Sequence, residues 1–136
     1  MRELKQLIGH NAAVNTAAFS PDGQWMATAG DDNQVLLWSV NEINDAMVSP
    51  KPIALTGHTA KVIHLTFNAD SSRLASSSWD GTVGLWDVPN HQSIRFLKGH
   101  QGPVNAAEFG STQQRLYSAG GDGHIRLWNL ETGEYL

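Results

Sequence analysis

The chain has 136 residues, no cysteine, and a net charge of −4 from 9 Lys and Arg against 13 Asp and Glu. This length suits one domain, and the hydrophobic fraction of 40% argues against intrinsic disorder. The mild negative charge without a basic run argues against nucleic acid or an anionic membrane as partner, and the lack of cysteine excludes disulfides and zinc–thiolate sites. Because neither a signal peptide nor a membrane-spanning apolar run is evident, we expect a cytoplasmic protein.

Short apolar stretches separated by turn residues follow one another along the chain. They are rich in Val, Leu, Ile, Phe and Trp, and turn signals such as Pro21-Asp22-Gly23 and Asp80-Gly81 stand between them. These lengths and turns are typical of antiparallel strands joined by hairpins, and no 3.6-residue periodicity appears. The predicted strands, in chain order, comprise residues 4–8, 14–19, 25–29, 35–40, 52–56, 62–67, 73–77, 82–88, 93–98, 104–109, 115–119 and 124–130.

Three copies of one pattern account for these strands. In each copy a Gly-His pair is followed, 28 residues after the His, by a Trp that closes an apolar phrase. Successive Trp residues of this kind are 48 and 42 positions apart. An internal repeat has to be explained before any other feature of a fold. The His and Trp positions are His10 and Trp38, His58 and Trp86, and His100 and Trp128.

The first copy is six residues longer than the second between its Trp and the next Gly. The additional residues fall within 41–51, a segment that contains Asn, Asp, Ser and Pro. This composition predicts a longer loop between the third and fourth strands. The loop is either a recognition feature or a neutral insertion, because lengthening a surface loop costs little free energy.

The motifs within the copies occur in a fixed order. Gly-His is followed by Phe-Ser-Pro-Asp-Gly in the first copy, and by Leu-Ala-Ser-Ser-Ser-x-Asp-Gly-Thr and Leu-Trp-Asp in the second. This series resembles the WD-repeat β-propeller family over the whole chain. The family's Trp-Asp dipeptide occurs once, at Trp86-Asp87, whereas Ser39 and Asn129 follow the Trp of the other copies.

The resemblance implies an all-β fold of three propeller blades, each with four antiparallel strands. The expected repeats comprise residues of about 4–51, 52–93 and 94–136, within a single propeller segment over residues 1–136. Three blades are fewer than the four to eight that close a propeller, so the propeller is incomplete unless further blades or another copy of the chain complete it.

The resemblance also implies a buried hydrogen-bond network in each blade. The network links Trp to a hydroxyl, the hydroxyl to His, and the His to Asp, so that each buried polar group has a partner. In every copy the Asp lies six residues before the Trp, and the hydroxyl lies four before the Asp. The predicted sets are His10, Thr28, Asp32 and Trp38; His58, Ser76, Asp80 and Trp86; and His100, Ser118, Asp122 and Trp128.

Ser76, His58 and Asp80 also have the residue types of a hydrolase triad. The same set occurs three times, Thr replaces Ser in one of them, and no nucleophile-elbow sequence surrounds the hydroxyls, all of which favours a structural role. The other histidines share no metal-ligand spacing. We therefore predict no catalytic residue, no metal site and no cofactor, with an enzyme of the propeller type, such as a hydrolase, as the alternative.

The resemblance places function in loops on one face of the propeller. These loops follow each Gly-His pair and join the second strand to the third. Trp79 stands in a loop of the second kind, and exposed Trp is enriched among interface hot spots. The alternative is that Trp79 packs against a loop of a neighbouring blade or is an isolated exposed residue without a binding role. The candidate partner-binding residues are Trp79, Asp31, Lys61, Asn15 and Asn105.

The repeat phase also predicts self-association. Residues 134–136 fall at the phase of residues 2–4, and the predicted strand 4–8 has no blade of its own. Open strand edges of this kind are normally covered. We expect a closed ring, most simply a six-bladed dimer in which residues 4–8 of each copy complete the last blade of the other; the alternative is a piece of a longer array.

These features together predict a non-catalytic scaffold that binds a peptide or protein on its loop face. Besides an enzyme, a second alternative is a fragment of the regulatory propeller of a larger signalling protein. No nucleic acid and no membrane is expected among the partners.

Overall fold

The fold consists of three four-stranded antiparallel sheets, which we call blades 1, 2 and 3. The computed structural model describes residues 4–112 and 114–136. Blade 1 contains β1 (Val14–Phe19), β2 (Trp25–Gly30), β3 (Val35–Ser39) and β4 (Ile53–Leu55). Blade 2 contains β5 (Val62–Phe67), β6 (Arg73–Ser78), β7 (Thr82–Asp87) and β8 (Gln92–Lys98). Blade 3 contains β9 (Val104–Phe109), β10 (Arg115–Gly120), β11 (Ile125–Asn129) and β12 (Glu134–Tyr135).

The predicted all-β fold with three blades is confirmed. Each predicted strand after residue 8 is present, with ends that differ from the prediction by at most one residue. The strands of each blade follow chain order across the sheet, as consecutive hairpins require. The fourth strand of blade 1 lies at the start of the second sequence repeat, and most of the fourth strand of blade 2 lies in the third, so these two blades end one strand later than their repeats.

The turn between β1 and β2 shows why the hairpins form where the sequence places them. The Ser20 hydroxyl donates to the Asp22 carboxylate over 2.6 Å, and the same carboxylate accepts from the Gln24 backbone N–H over 3.0 Å. Gly23 has a φ of +73°, a left-handed conformation that glycine adopts without a steric penalty. Local hydrogen bonds of the Ser-Pro-Asp-Gly sequence therefore reverse the chain, and the Asp22 backbone N–H also donates to the Ser71 hydroxyl of blade 2 over 3.0 Å.

Apolar side chains from facing blades form the core. One cluster joins blades 1 and 2, and a second joins blades 2 and 3. Burial of this apolar surface between the sheets is the main source of stability. The first cluster consists of Ala27, Ala29, Val35, Leu37, Leu55, Val62, Leu65, Leu74, Trp86 and Val88. The second consists of Ala75, Val83, Leu97, Val104, Ala107, Leu116 and Trp128.

Residues 4–8 form no strand in this structure, which differs from the prediction. A strand needs a neighbour to complete its hydrogen-bond ladder, and the outer edge of β3 is already paired with β4. Leu7 nevertheless packs against Met26, Leu36 and Trp38 of blade 1. Residues 2 and 3, which entered the comparison of repeat phase, lie outside the described residues.

The longer segment after β3 contains a short helix where the sequence predicted only a loop. Helix α1 (Val40–Asn44) begins after Ser39, whose hydroxyl accepts from the Glu42 backbone N–H over 3.5 Å. Ile43 of the helix packs beside Leu7 on blade 1. No helix among residues 4–112 and 114–136 is long and apolar enough to cross a membrane.

Lys5 connects residues 4–8 to this longer segment through hydrogen bonds. Its ammonium group donates to the carbonyl oxygens of Glu42 at 3.3 Å, Asp45 at 2.7 Å and Val48 at 3.0 Å. The Glu42 and Asp45 carbonyls also accept the backbone N–H groups of Asp45 and Val48, so the Lys5 ammonium supplements the hydrogen bonds of this turn. The additional residues of the first repeat thus hold the segment that precedes blade 1.

Candidate functional site

Four polar side chains of blade 2 are joined in series beneath the loop surface. The Trp86 indole N–H donates to Ser76 Oγ over 2.8 Å, and Ser76 Oγ lies 2.7 Å from His58 Nε2. His58 Nδ1 lies 2.7 Å from Asp80 Oδ2. The other carboxylate oxygen, Asp80 Oδ1, accepts from the Thr82 hydroxyl over 2.7 Å. Every polar group of the series therefore has a partner.

A neutral His58 imidazole satisfies this series in one tautomer. Ser76 Oγ accepts from the Trp86 indole and donates its own proton to His58 Nε2. A neutral imidazole that accepts at Nε2 carries its proton on Nδ1, which donates to the Asp80 carboxylate. Each bond fixes the orientation of the next side chain, which gives a buried network its specificity.

The two other predicted sets have the same order. In both, the indole-to-hydroxyl distance is 2.8 Å and the hydroxyl-to-imidazole distance is 2.7 Å. The nearest imidazole-to-carboxylate distance is 2.9 Å in blade 1 and 3.1 Å in blade 3. The sets are His10, Thr28, Asp32 and Trp38 in blade 1, and His100, Ser118, Asp122 and Trp128 in blade 3.

The network carboxylates also fix the loop that follows each Gly-His pair. In every blade the carboxylate accepts the backbone N–H of the residue immediately after the network His. The donors are Asn11 at 3.0 Å, Thr59 at 3.1 Å and Gln101 at 2.9 Å. The buried network is therefore continuous with the loops that form the exposed face.

These hydrogen bonds lower the pKa of the three network carboxyl groups below the ordinary value of 3.8. Burial opposes ionisation of Asp80, but hydrogen bonds from His58 and Thr82 outweigh it and hold the pKa well below the usual range. For Asp122 the backbone N–H of Gln101 is the largest cause of a lowered pKa. The third member of the set is Asp32. All three are carboxylates at neutral pH.

Acid is expected to destabilise the protein through these groups. A carboxyl group whose pKa is lower in the folded than in the unfolded chain stabilises the fold above the unfolded pKa. That stabilisation is lost as the pH falls from about 4 through the folded pKa. The free energy of unfolding, measured with urea at a series of pH values, should fall steadily below about pH 4.

Asp80→Asn is the control for this prediction. The variant lacks one of the three network carboxyl groups, so its free energy of unfolding should depend less steeply on pH below about 4. An acid dependence equal to that of the wild-type protein would show that Asp80 has the same pKa in the folded and unfolded chains.

The Ser76, His58 and Asp80 series has the bonding order of a hydrolase triad but no access for a substrate. Ser76 is fully buried, and its hydroxyl is engaged by both Trp86 and His58. A nucleophile has to reach the atom that it attacks. No group of three His, Asp or Glu side chains able to hold a metal ion occurs in residues 4–112 and 114–136.

Backbone hydrogen bonds join the two kinds of loop on the exposed face. In each blade the residue before the network Asp donates its N–H to the loop after Gly-His. The bonds run from Asp31 to the Ala13 carbonyl at 2.8 Å, from Trp79 to the Lys61 carbonyl at 3.0 Å, and from Gly121 to the Pro103 carbonyl at 2.7 Å. Equivalent positions of the three repeats thus hold the two kinds of loop together in the same way in each blade.

Trp79 and Lys61 form a cation–π pair on this face. The Lys61 ammonium lies 3.6 Å from the centroid of the Trp79 ring. Trp79 is 48% exposed although its backbone is held by the neighbouring loop. Burial of an indole that is half exposed in the free protein gives a partner a large apolar contact at low entropic cost.

Two further candidate residues, Asn15 and Asn105, lie at equivalent positions of blades 1 and 3. The Asn15 amide donates to the Asp31 carboxylate over 2.8 Å and to the Val62 carbonyl over 3.2 Å. It therefore joins blade 1 to the residue that follows Lys61. Asn105 is exposed at the equivalent position of blade 3.

Sequence reasoning did not assign roles to Thr82 or Lys5. Thr82 follows Asp80-Gly81, so the Asp-Gly-Thr phrase carried a signal for its bond to the carboxylate. Lys5 binds carbonyls about 40 residues away, and neither segment has a pattern that indicates the other. The contact of the Lys61 ammonium with the Trp79 ring likewise could not be predicted, because it depends on how the two loops are positioned in space.

Three blades with one repeated Trp–hydroxyl–His–Asp series beneath a loop face define a repeat protein of the propeller class. The chain belongs to the WD-repeat family, because the family described as "WD domain, G-beta repeat" matches residues 1–39, 50–87 and 91–129. This confirms the family indicated by the sequence motifs.

Curated relatives match shorter stretches. The chain is 43% identical over 47 residues to human DDB1- and CUL4-associated factor 5, which covers 34% of this chain and 5% of the relative. It is 51% identical over 35 residues to small ribosomal subunit protein RACK1 of Caenorhabditis elegans, covering 26% and 11%. It is 46% identical over 39 residues to a subunit of chromatin assembly factor 1 from Gallus gallus, covering 29% and 7%. Each match spans a small part of the relative's length.

Proposed function

We propose that this chain is a non-catalytic scaffold that binds a peptide or protein partner on the loop face of its blades. The observation that carries the proposal is the exposed Trp79 ring with Lys61 held against it. The buried network below leaves the loop backbone ordered before a partner arrives, which reduces the entropy lost on binding.

The names of the relatives support a role in protein assemblies. One is named for association with DDB1 and CUL4, one as a protein of the small ribosomal subunit, and one as a subunit of a chromatin assembly factor. Each of these names refers to an assembly with other proteins. We carry over to this chain only the general role of contacting protein partners.

The charges around Trp79 suggest the chemistry of the partner. Lys61 supplies a positive charge against the ring. The Asp31 carboxylate already accepts a hydrogen bond from the Asn15 amide. A peptide with an acidic residue next to an apolar or aromatic one can pair with Lys61 and cover the indole. We therefore propose an acidic peptide segment as the partner.

Selection of a displayed random peptide library on the wild-type protein tests the proposal. The selected peptides should be enriched in Asp and Glu next to an apolar residue. Trp79→Ala should weaken their binding at least about tenfold, because loss of a hot-spot Trp costs about 2 kcal/mol or more. Lys61→Met should weaken acidic peptides more than neutral ones, because it removes the charge and keeps an apolar stem.

Met47→Ala is the matched control for these variants. Met47 is also exposed but lies in the longer segment of blade 1, away from the Trp79 loop. Its removal should leave peptide binding unchanged. If the selected peptides bind the Trp79→Ala variant as tightly as the wild-type protein, the loop face of blade 2 is not the binding site.

We also propose that the chain associates with itself to complete a ring. Ile125 and Tyr117 are exposed on blade 3, at positions where blades 1 and 2 have buried residues, and this supports the proposal. Two copies would supply six blades, which lies within the range of closed propellers. A ring of this kind would present two copies of the loop face to a multivalent partner.

A further inference from the structure

The longer segment of the first repeat contains an exposed Ser-Pro pair. Ser49 is exposed and stands, with Pro50 and the exposed Lys51, in the irregular stretch between α1 and β4. A proline favours an extended conformation for the residue before it and has no backbone N–H of its own. An extended chain with an exposed hydroxyl can enter the cleft of a protein kinase, where a catalytic Asp accepts the hydroxyl proton. The position of Ser49 therefore suits phosphorylation.

The chain has one other Ser-Pro pair, Ser20-Pro21, and the fold treats the two pairs differently. Ser20 is only 3% exposed. Its hydroxyl donates to the Asp22 carboxylate over 2.6 Å and accepts from the Trp25 backbone N–H over 3.0 Å. A kinase could reach this oxygen only after the turn between β1 and β2 had opened. The two pairs share one sequence signal, and the structure selects Ser49 as the accessible one.

A cation lies next to Ser49. Lys5 Nζ is 3.0 Å from the carbonyl oxygen of Val48, the residue bonded to Ser49. Lys5 and Ser49 also line the same surface cleft, which has a volume of about 360 Å³. The carbonyl oxygens that the ammonium contacts are neutral, whereas a phosphate oxygen is a charged and stronger acceptor. A phosphate on Ser49 would therefore find a partner for its charge within the same molecule.

We propose that Ser49 is a phosphorylation site for a protein kinase that selects Ser followed by Pro, and that the Lys5 ammonium pairs with the phosphate. In the reaction the Ser49 hydroxyl oxygen forms a bond to the γ-phosphorus of ATP, and the bond from that phosphorus to the β,γ-bridging oxygen breaks. ADP leaves with the electron pair of the broken bond, and the hydroxyl proton passes to the catalytic Asp of the kinase.

Phosphorylation strengthens the connection between residues 4–8 and the segment after β3. The phosphate carries up to two negative charges, and its bond with Lys5 is charge-assisted, unlike the present bonds to backbone carbonyls. An exposed ion pair contributes about 0.2–1 kcal/mol, so the backbone amides of residues 4–8 should exchange with solvent up to about fivefold more slowly in the phosphorylated protein. Hydrogen exchange followed by mass spectrometry measures this change, and faster exchange would contradict the pairing.

Treatment of the folded chain with a purified proline-directed serine/threonine kinase and Mg-ATP tests the site itself. Mass spectrometry of the digested product should locate phosphate on Ser49 and none on Ser20. Ser49→Ala changes an exposed residue, so this variant should fold and should take up no phosphate at the Ser-Pro pairs under the same conditions. A wild-type chain without phosphate on Ser49, or with as much on Ser20 as on Ser49, would overturn the proposal.

Phosphorus nuclear magnetic resonance tests the pairing with Lys5. The second ionisation of a phosphoserine has a pKa of about 6, and a neighbouring ammonium lowers this pKa because it favours the dianion. The titration midpoint of the phosphorylated wild-type chain should lie about 0.2–0.7 pH below that of phosphorylated Lys5→Met, as an exposed ion pair predicts. The other charged side chains of the segment, Glu42, Asp45 and Lys51, are present in both proteins, so the difference reports Lys5.

Lys98→Met is the matched control for this titration. Lys98 is also exposed but lies on β8 of blade 2, so its replacement should leave the midpoint at the wild-type value. Equal midpoints for the wild-type chain and Lys5→Met, or an equal change in both variants, would show that Lys5 is not the partner of the phosphate.

Discussion

Replacement of Trp86 with Ala is expected to lower the free energy of unfolding by about 3–5 kcal/mol. The side chain is almost fully buried between blades 1 and 2 and packs edge-to-face on Phe96, with ring centroids 5.5 Å apart. Truncation leaves a cavity and also removes the indole donor of the Ser76 hydroxyl. This loss is a large part of the total stability of a small domain, so the population of folded protein should fall visibly.

Trp79→Ala is the matched control because it removes the same side chain from the loop face. Its indole is half exposed, so the expected loss is less than about 1 kcal/mol. Urea unfolding followed by far-ultraviolet circular dichroism measures both variants without depending on tryptophan fluorescence. Where Trp86→Ala does not fold, Trp86→Phe measures the loss of the indole donor with most of the ring volume kept. Equal losses for Trp79→Ala and a Trp86 variant would contradict the assigned burial.

Ser76→Ala is expected to lower the free energy of unfolding by about 2–4 kcal/mol, because it leaves two buried groups without partners. The Trp86 indole N–H loses its acceptor, and His58 Nε2 loses its donor. Each orphaned group costs about 1–3 kcal/mol. The Trp86 indole proton, observed by nuclear magnetic resonance, should also exchange faster with solvent as its hydrogen bond disappears.

Ser76→Thr tests the hydroxyl itself. Blade 1 uses Thr28 at this position with the same bond lengths, so the variant should keep both hydrogen bonds and most of the stability. The added methyl group introduces some packing strain. If Ser76→Ala instead abolished a hydrolytic activity at unchanged stability, Ser76 would be a nucleophile and the structural role would be wrong.

The strands and turns could be predicted because their signals are local. The hairpin at Ser20 and Gly23 depends on residues within five positions of one another. The positions of the network residues followed from the spacing within each repeat, because a pattern that occurs three times with the same spacing is not accidental. Their bonding order came from the family resemblance, and the structure adds the distances and the participation of Thr82.

The features that sequence reasoning missed depend on contacts between distant segments. Residues 4–8 have the pattern of a strand because Leu7 has the repeat position of Leu55 and Leu97, yet no strand in the described part of the chain pairs with them. The longer segment of the first repeat has the composition of a loop, which indicates neither its α1 helix nor its contacts with Lys5. A helix of one turn has too few residues to show a periodicity.

The sequence by itself determined the fold class, the strand positions, the repeat and the members of the buried network. These properties follow from turn chemistry, apolar patterning and spacing, all of which are expressed over short stretches of chain. Only the tertiary structure decided that Lys61 lies on Trp79, that Lys5 binds the segment after β3, and that Ile125 stays exposed on an open blade face. The physical reason is that burial and side-chain contacts depend on which surfaces meet in space, and a strand's pattern is the same whether or not another surface covers it.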